Sequence, residues 1–319
     1  MDADLLARFE SERPRLLNVA YRLTGSVADA EDAVQEAWLR LDRATSPGGS
    51  DEIRNLQAWL TTTVSRLCLD RLTSAAARRE TYVGQWLPEP IVTSFDPDAA
   101  DPLSAVITHD ENRLAALIVL DALAPAQRVA FVLHDAFGVP FDEIATTLDI
   151  TAAHARKLAS RARATVANPP PPVSDDVHNE AVGRFLAAMA AGDLAAILAT
   201  LHPDALVIGD ANGTTSTAVN VIRGPEKFAR FYLGLMRRYG AAALDRLLPV
   251  LVNGQLGLMT TGFTGETTRL SSPPRVAGFT VRDGLVWATY DIANPEKLGG
   301  VRLPEWPPPP TGPDRNHPS

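Results

Sequence analysis

The sequence has very little of the chemistry that builds disulfides or metal sites. It holds one cysteine in 319 residues, Cys68, which excludes an internal disulfide and any metal site made from several cysteines. The histidines show no spacing typical of metal ligands and stand at positions 109, 134, 154, 178, 202 and 317. We therefore predict neither a metal nor a cofactor.

Long hydrophobic runs are also missing. Every apolar stretch is short and interrupted by charge, so no segment is predicted to form a transmembrane helix. The first ten residues, MDADLLARFE, are acidic and lack the basic region and apolar core of a secretory signal. These features predict a cytoplasmic protein that does not bind membranes.

Basic charge is scarce overall but concentrated in two segments. The chain has 30 Lys+Arg against 38 Asp+Glu, a net charge of −8, which argues against general coating of nucleic acid. Yet residues 151–168 carry four cations and no carboxylate, and residues 54–95 carry a net charge of +2. The pattern predicts local basic faces on an acidic protein.

Hydrophobic periodicity and proline-rich stretches divide the chain into domains. At this length two or three domains are expected. Apolar residues at helical spacing predict all-α domains over 1–80 and 109–167. Helices combined with strands and hairpin turns predict an α+β domain over 176–300. Between and after them we predict a linker at 81–108, a proline-rich spacer at 168–175 and a disordered tail at 301–319.

The basic segment follows a short amphipathic helix in a pattern typical of a helix-turn-helix motif. Leu148-Asp149-Ile150 predicts a tight bend, and the Thr151 hydroxyl can cap the helix that follows. Alanines at helical spacing give that helix a small packing face, and its cations project outward. The alternative is a solvated basic face. The short helix, the bend and the cap in register favour a helix that binds DNA in the major groove.

Longer stretches resemble conserved regions of a known family. AYRLTGSVADAEDAVQEAWLRL at 20–41 and AWLTTTVSRLCLDRLTSAAARR at 58–79 resemble region 2 of extracytoplasmic-function (ECF) sigma factors of bacterial RNA polymerase. LDALAPAQRVAFVLHDAFGVPFDEIATTLDITAAHARKLASRAR at 120–163 resembles region 4. WLPEP at 86–90, VNG at 252–254 and NPEKL at 294–298 are similar to motifs of the SigJ type, the ECF subgroup with a SnoaL-like (NTF2-like) C-terminal domain.

This resemblance implies a multidomain fold and a function in transcription initiation. It implies a helical bundle for region 2, a helix-turn-helix domain for region 4 and a cone-shaped α+β domain at the C-terminus. Its implied partners are promoter DNA and the RNA polymerase core, through the clamp helices of the largest subunit and the flap. The C-terminal domain would modulate promoter-specific initiation.

The resemblance places the two basic segments on DNA. Region 4 inserts its recognition helix into the major groove of the minus-thirty-five element, which implies contacts from His154, Arg156, Lys157, Ser160, Arg161 and Arg163. Region 2 reads the minus-ten element and its opened strand, which implies contacts from Arg66, Asp70, Arg71, Ser74, Arg78 and Arg79. Several of these arginines can instead pair with neighbouring acids.

A polar face of the first conserved helix is the implied polymerase contact. The residues are Asp32, Gln35, Glu36 and Leu39, three of which share one face by spacing, opposite the apolar stripe. A solvated helix face is the alternative. Interdomain regulatory contacts are implied at Trp86, Leu87, Pro88, Glu89, Pro90, Asn294, Pro295, Lys297 and Leu298. Trp86 and Leu87 would be buried anchors of the contact, and the alternative is that WLPEP packs only on its own sigma domain.

The C-terminal domain leaves an enzymatic alternative open. SnoaL-like folds include cyclases and isomerases, and the local acid or base candidates are His202, Asp204, Asp210 and Asn212. We interpret Asp210, in GDANGTT, as a turn residue, and predict no catalytic residue and no enzymatic activity. The competing hypothesis is a stand-alone helix-turn-helix regulator with a ligand-binding or catalytic SnoaL-like domain. A small-molecule ligand of this domain remains a hypothesis.

Overall fold

The computed structural model describes most of the chain. The described residues are 3–46, 53–79, 82–95, 112–166, 171–215, 217–240, 246–262 and 272–301. The predicted tail beyond Val301, and parts of the predicted linker and spacer, lie outside them. No helix among these residues is both long and apolar enough to cross a membrane.

Three helices form the first domain. They are α1 (Ala3–Thr24), α2 (Val27–Thr45) and α3 (Leu56–Arg79). Ser26 caps the start of α2, because its hydroxyl accepts a hydrogen bond from the Asp29 amide at 3.1 Å. Helices α1 and α2 bury apolar residues at helical spacing, including Leu16, Leu23 and Leu41.

The second domain contains the helix-turn-helix. Its helices are α4 (Leu114–Asp121), α5 (Pro125–Phe131), α6 (Phe141–Leu148) and α7 (Ala152–Thr165), with a π-helical turn at Val132–Ala136. The chain turns between α4 and α5 at Ala124-Pro125, and Pro125 is the first residue of α5. Residues from both helical domains pack in a single hydrophobic core, with α3 against α5 and α6.

The C-terminal domain wraps a mixed sheet around helices. Its helices are α8 (Asp175–Ala191), α9 (Leu194–Ala199), α10 (Pro225–Tyr239) and α11 (Pro295–Leu298). The strands are β1 (Val92–Thr93), β2 (Leu201–Asp210), β3 (Ile222–Arg223), β4 (Leu248–Val252), β5 (Gln255–Thr260), β6 (Arg275–Arg282) and β7 (Leu285–Ile292). Their order is β1-β4-β5-β6-β7-β2-β3, so the linker strand β1 forms one edge of this sheet.

Two local predictions in this domain differ in outcome. Both hairpin turns are confirmed, because Asn253 and Asp283 adopt positive φ and each precedes a glycine of positive φ. The sequence AAGDLAAILATLHPDA at 190–205 predicts a turn and a helix, but its last five residues lie in strand β2 instead. Helix α9 ends at Ala199 and Leu201 already pairs with Val286, because the parallel partner β7 extends past the bulge in β2.

Candidate nucleic-acid interface and interdomain contacts

Helix α7 has the geometry of a recognition helix. Asp149 adopts a left-handed conformation (φ 55°) that turns the chain after α6, which confirms the predicted bend. The Thr151 hydroxyl accepts a hydrogen bond from the His154 amide at 3.2 Å and caps α7. Ala155, Ala159 and Ala162 are fully buried against the rest of the domain. The buried alanine face therefore determines which side of α7 is exposed to solvent.

All six side chains predicted to contact the minus-thirty-five element are exposed on the outer side of α7. Arg163 at its end forms a two-pronged ion pair with Asp135, and these hydrogen bonds raise the pKa of the guanidinium. The Arg156 guanidinium lies 5.5 Å from the centre of the Phe141 ring. These contacts orient two of the six side chains without removing the helix from solvent.

The residues predicted for the minus-ten element lie along α3. Arg66 and Asp70 are exposed, and the Arg66 guanidinium donates to the carbonyl oxygens of Thr146 (2.6 Å) and Thr147 (3.3 Å) at the end of α6. Arg71 donates to the Asp29 carbonyl and lies 3.6 Å from the Asp32 carboxylate.

Further along α3, the exposed Ser74 hydroxyl donates to the Asp70 carbonyl. The side chains of Arg78 and Arg79 are outside the described residues. Arg66 and Arg71 thus make contacts within the protein, Arg66 with the helix-turn-helix domain.

The predicted polymerase-binding face of α2 is largely exposed to solvent. Asp32, Gln35 and Leu39 are exposed, and Leu39 is a large apolar residue with 41% of its surface accessible. Glu36 is half-buried and pairs with Arg40 one turn later at 3.0 Å. An exposed leucine among carboxylates suits a protein partner better than DNA, since DNA would repel the acids.

Asp210 is the centre of the contact between the linker and the C-terminal domain. Its side chain is fully buried. One carboxylate oxygen accepts hydrogen bonds from the Leu87 amide (2.7 Å) and the Lys297 ammonium. The other accepts one from the Tyr82 hydroxyl, to which the Asn294 amide donates at 2.8 Å. We call these five residues the Asp210 cluster.

The interpretation of Asp210 as a turn residue is wrong. Asp210 ends β2 and pairs with Ile292, and the turn falls after it, at Asn212 and Gly213 with φ of 45° and 71°. The strand continues because Asp210 has buried partners that are distant in the sequence. Asn212 belongs to the same contact, since its side chain accepts a hydrogen bond from the Val83 amide at 3.3 Å.

The predicted anchors in WLPEP differ in burial. Leu87 is 1% exposed, whereas Trp86 is half-buried rather than buried. The Lys297 ammonium lies 4.0 Å from the centre of the Trp86 ring, a cation–π contact that requires an accessible ring face. The opposite domain meets the same ring at Gly25 (φ 68°), where a Cβ would come within 2.8 Å of it. Trp86 therefore packs against both the first and the last domain.

The second half of WLPEP binds the first helical domain. The Glu89 carboxylate accepts hydrogen bonds from the Val27 amide (2.8 Å) and the Ser26 hydroxyl (3.0 Å) at the start of α2. The Glu89 carbonyl accepts one from the Tyr21 hydroxyl at 2.7 Å. Burial raises the pKa of the Glu89 carboxyl, and the hydrogen bonds only partly offset this. Pro88 and Pro90 are buried beside Glu89.

On the C-terminal side, Pro295 is exposed and Leu298 is half-buried. Lys297 of the same helix α11 also donates to the Leu87 carbonyl. The linker therefore contacts both neighbours, rather than its own sigma domain alone.

Asn253 forms hydrogen bonds to both helical domains and to the linker. It was not among the predicted site residues. Its side-chain amide donates to the Tyr21 hydroxyl (2.8 Å) and the Asn112 carbonyl (2.9 Å), and its oxygen accepts from the Ile91 amide (3.2 Å). These four residues, the Asn253 cluster, come from both helical domains, the linker and the C-terminal domain. The VNG motif was the available signal, but it also fits an ordinary hairpin turn.

The acid and base candidates of the C-terminal domain are not assembled into one site. His202 accepts a hydrogen bond from the Asp204 amide and approaches Asp283 at 3.6 Å, while Asp204 is exposed. Asp210 faces the linker instead. No cluster of three or more metal-binding side chains occurs among the residues that the structure describes. The described geometry therefore shows interdomain contacts rather than a catalytic centre.

Comparison with known proteins agrees with this division of the chain. Residues 8–78 match the family model of sigma-70 region 2, residues 114–166 that of sigma-70 region 4, and residues 182–289 that of the SnoaL-like domain. These matches and the mixed sheet confirm the predicted fold class.

The chain is 53% identical to the ECF RNA polymerase sigma factor SigJ of Mycobacterium tuberculosis. This match covers 98% of the chain and 99% of the relative. The crystal structure of that SigJ superposes with a TM-score of 0.80 at 51% identity, covering 94% of this chain and 100% of the other. The probable ECF sigma factor SigI of the same organism is 40% identical over 62% of this chain and 67% of its own length. The chain therefore belongs to the ECF RNA polymerase sigma factors, with sigma-70 regions 2 and 4 and the C-terminal SnoaL-like domain of the SigJ type.

Proposed function

We propose that this sigma factor acts in the cytoplasm, binds the RNA polymerase core through the α2 face, and selects promoters with α3 and α7. We further propose that its SnoaL-like domain holds the two DNA-reading domains in a closed, inactive arrangement. The observation that carries the proposal is the pair of hydrogen bonds from Arg66 of α3 to the end of α6. These bonds join α3, which we propose reads the minus-ten element, to the domain that we propose reads the minus-thirty-five element.

The charge distribution supports weak DNA binding by the free protein. Helix α7 presents four cations in a chain of net charge −8, and few phosphate contacts give low affinity that falls steeply with salt. A polymerase that fixes the spacing of two weak DNA contacts makes the second one intramolecular. Selectivity for promoters then depends on the complex and not on the free chain.

The closed arrangement is too compact to engage both promoter elements. Their centres are separated by about 25 base pairs, or roughly 85 Å at the rise of B-DNA. A small domain measures about 30 Å, so two touching domains span at most about 60 Å. Here α3 touches α6 directly. The domains must therefore separate before the protein can read a whole promoter, and Arg66 must leave Thr146 and Thr147.

The linker contacts explain how the C-terminal domain would oppose that separation. The Asp210 cluster holds Leu87, and the Asn253 cluster holds Ile91, so the linker is fixed at two points on the sheet. Asn253 also donates to Tyr21, which precedes the linker in the sequence, and to Asn112, which follows it. Opening the helical domains requires at least one of these buried contacts to break.

Abortive initiation by bacterial core polymerase on a library of upstream sequences tests the promoter-selecting function. We expect selective initiation that requires the protein and is lost when Arg156 and Arg161 are both changed to Ala. Arg184→Ala with Arg230→Ala is the matched control, because both arginines are exposed on helices of the C-terminal domain. No core binding and no initiation, even without the C-terminal domain, would contradict the proposal and favour a stand-alone DNA-binding regulator.

Asn253→Gly tests the inhibitory hold. Glycine tolerates the φ of 50° at this turn, so the hairpin is kept while the contacts to Tyr21 and Asn112 are lost. We expect severalfold more abortive product from the same promoter. Asp283→Gly, in the other hairpin turn at φ 52°, is the control and should leave the output unchanged. Unchanged or lower output from Asn253→Gly would contradict inhibition by this domain.

A further inference from the structure

The C-terminal domain contains a cavity that none of the interdomain contacts uses. It lies between α8, α10 and the inner face of the sheet and has a volume of about 150 Å³. An apolar protein cavity of about this size can stay dry and hold one benzene molecule. The volume therefore sets the scale of a possible occupant at a single small ring.

The walls are suited to an aromatic ring. Three of the chain's four methionines line the cavity, together with four aromatic side chains: Met189, Met236, Met259, Phe185, Tyr232, Tyr239 and Phe279. Phe185 stands edge-on to both Tyr232 and Phe279, at centroid distances of 6.1 Å. Ring edges and polarisable sulfurs make favourable contacts with an aromatic guest, and methionine adapts to its shape.

One wall of the cavity carries a buried ion pair with an unused acceptor. Asp291 lines the cavity with a side chain only 8% exposed, and its Oδ2 accepts from Arg275 (2.6 Å) and Thr217 (2.7 Å). No donor among the described residues bonds to the other oxygen, Oδ1. This oxygen can therefore accept a hydrogen bond from the hydroxyl group of a guest in the cavity.

The charge of the pair selects among guests. Arg275 and Asp291 neutralise each other, so a neutral guest keeps their ion pair intact. An anion would meet the Asp291 carboxylate, and burying a second negative charge there carries a desolvation penalty. We propose that this cavity is a binding site for a small neutral aromatic alcohol of the phenol class. Its ring lies among the methionines and aromatic rings, and its hydroxyl donates to Asp291 Oδ1.

Binding to the full-length protein tests the proposal without reference to transcription. Phenol, benzene and benzoate are the probes, measured by isothermal titration and ligand-observed NMR. We expect phenol to bind about tenfold more tightly than benzene, the effect of one hydrogen bond to a charged acceptor. Benzoate should bind more weakly than either. No detectable binding of phenol, equal binding of phenol and benzene, or tighter binding of benzoate would each overturn the proposal.

Two variants locate the guest. Ala277 lines the cavity and pairs directly with Asp291 across β6 and β7, so Ala277→Leu fills the space beside the carboxylate without removing the ion pair. It should abolish the binding of both phenol and benzene, whereas Ala187→Leu on the exposed side of α8 should not. Asp291→Asn changes the acceptor and should remove most of the preference for phenol over benzene. Phenol binding that survives Ala277→Leu in the folded protein would overturn the assignment.

Discussion

Asp210 and Lys297 show how two residues fix the position of the linker at the interdomain contact. Both side chains are buried, the first completely, and each also contacts Leu87 of the linker. A buried ion pair adds little net stability because both charges lose water, but removing one partner strands the other. The pair therefore makes the linker position specific more than it makes the fold stable.

Lys297→Met tests this at residue scale. The variant keeps an apolar side chain of similar length but leaves the Asp210 carboxylate buried without its counter-ion. We expect the free energy of unfolding to fall by about 3–5 kcal/mol. Adding Asp210→Asn should recover part of that loss, so that the double variant is more stable than the sum of the single effects predicts. Urea unfolding measures both values.

The matched control for this pair is Glu296→Gln, because Glu296 is the exposed neighbour of Lys297. It should change the free energy of unfolding by less than about 0.5 kcal/mol. Strict additivity of the Lys297 and Asp210 substitutions would mean that the two charges do not interact as the geometry indicates.

Residue-level roles were predictable only where the partners are close in sequence. Thr151 as a helix cap follows from local pattern, because its partner His154 is three residues away. Asp210 was misassigned because Asp-Ala-Asn-Gly resembles a turn, while its partners Tyr82 and Lys297 are 128 and 87 residues distant. The pattern of a single sequence does not indicate which distant groups form hydrogen bonds with a buried carboxylate.

At the scale of secondary-structure elements, the recognition helix depends on its first turn. Thr151 satisfies a backbone amide that the helix itself leaves without an acceptor. Thr151→Ala should lower the free energy of unfolding by about 1 kcal/mol and weaken use of the minus-thirty-five element, while Thr151→Ser should retain both. Urea unfolding and abortive initiation provide the measurements.

Thr165→Ala is the comparison for Thr151→Ala, since Thr165 is also an exposed threonine, in the last turn of α7. Its hydroxyl bonds back to the Arg161 carbonyl within the helix, an interaction that contributes little to helix stability. Equal losses from the two alanine variants would show that the cap at Thr151 is not the cause.

His178 makes the packing of α8 on β5 sensitive to pH. The buried ring donates from Nε2 to the Leu256 carbonyl (3.0 Å), and Nδ1 accepts from the Gln255 amide (3.4 Å). Burial lowers the pKa of this histidine, although the bond to Leu256 partly opposes the shift. The unfolded chain takes up a proton near pH 6.5, whereas the folded ring does so only at lower pH. The stability contribution is therefore present above pH 6.5 and lost as the pH falls through the folded pKa.

His178→Gln should reduce that loss of stability on acidification. Glutamine can still donate to the Leu256 carbonyl but does not titrate. Between pH 7 and pH 5, the wild-type free energy of unfolding should fall more steeply than that of His178→Gln. His154→Gln, on the exposed surface of α7, should keep the wild-type slope. Parallel pH profiles for wild type and His178→Gln would contradict the assignment.

On the scale of the whole molecule, family membership accounts for the sigma factor activity. Sigma factors are not enzymes, so family membership confirms the prediction of no enzymatic activity. Domain types and their order were predictable, because each carries its own periodicity and motifs. The packing of α3 against α6 was not predictable. Arg66 and Thr146 are 80 residues apart, and nothing in the sequence pattern distinguishes them from other exposed polar residues.

The contact between α3 and α6 allows the closed arrangement to be locked. The hydroxyl oxygens of Thr62 and Thr147 are 3.5 Å apart across it, which makes these two positions the pair to replace by cysteines for a cross-link. The native Cys68 does not interfere, because burial raises the pKa of its thiol to about 12 and keeps it protonated. Oxidised Thr62→Cys/Thr147→Cys protein therefore keeps the two DNA-reading domains together.

If opening is required for promoter reading, oxidation of this double variant should abolish abortive initiation. A reducing agent should restore it to the level of the unoxidised protein. Each single cysteine variant should initiate equally well under both conditions, which separates the cross-link from the effect of oxidant on polymerase. Salt-dependent binding of α7 to an isolated minus-thirty-five duplex should survive oxidation, because the recognition helix is exposed in the closed state. Full initiation by the oxidised, cross-linked protein would show that the two domains read a promoter without separating.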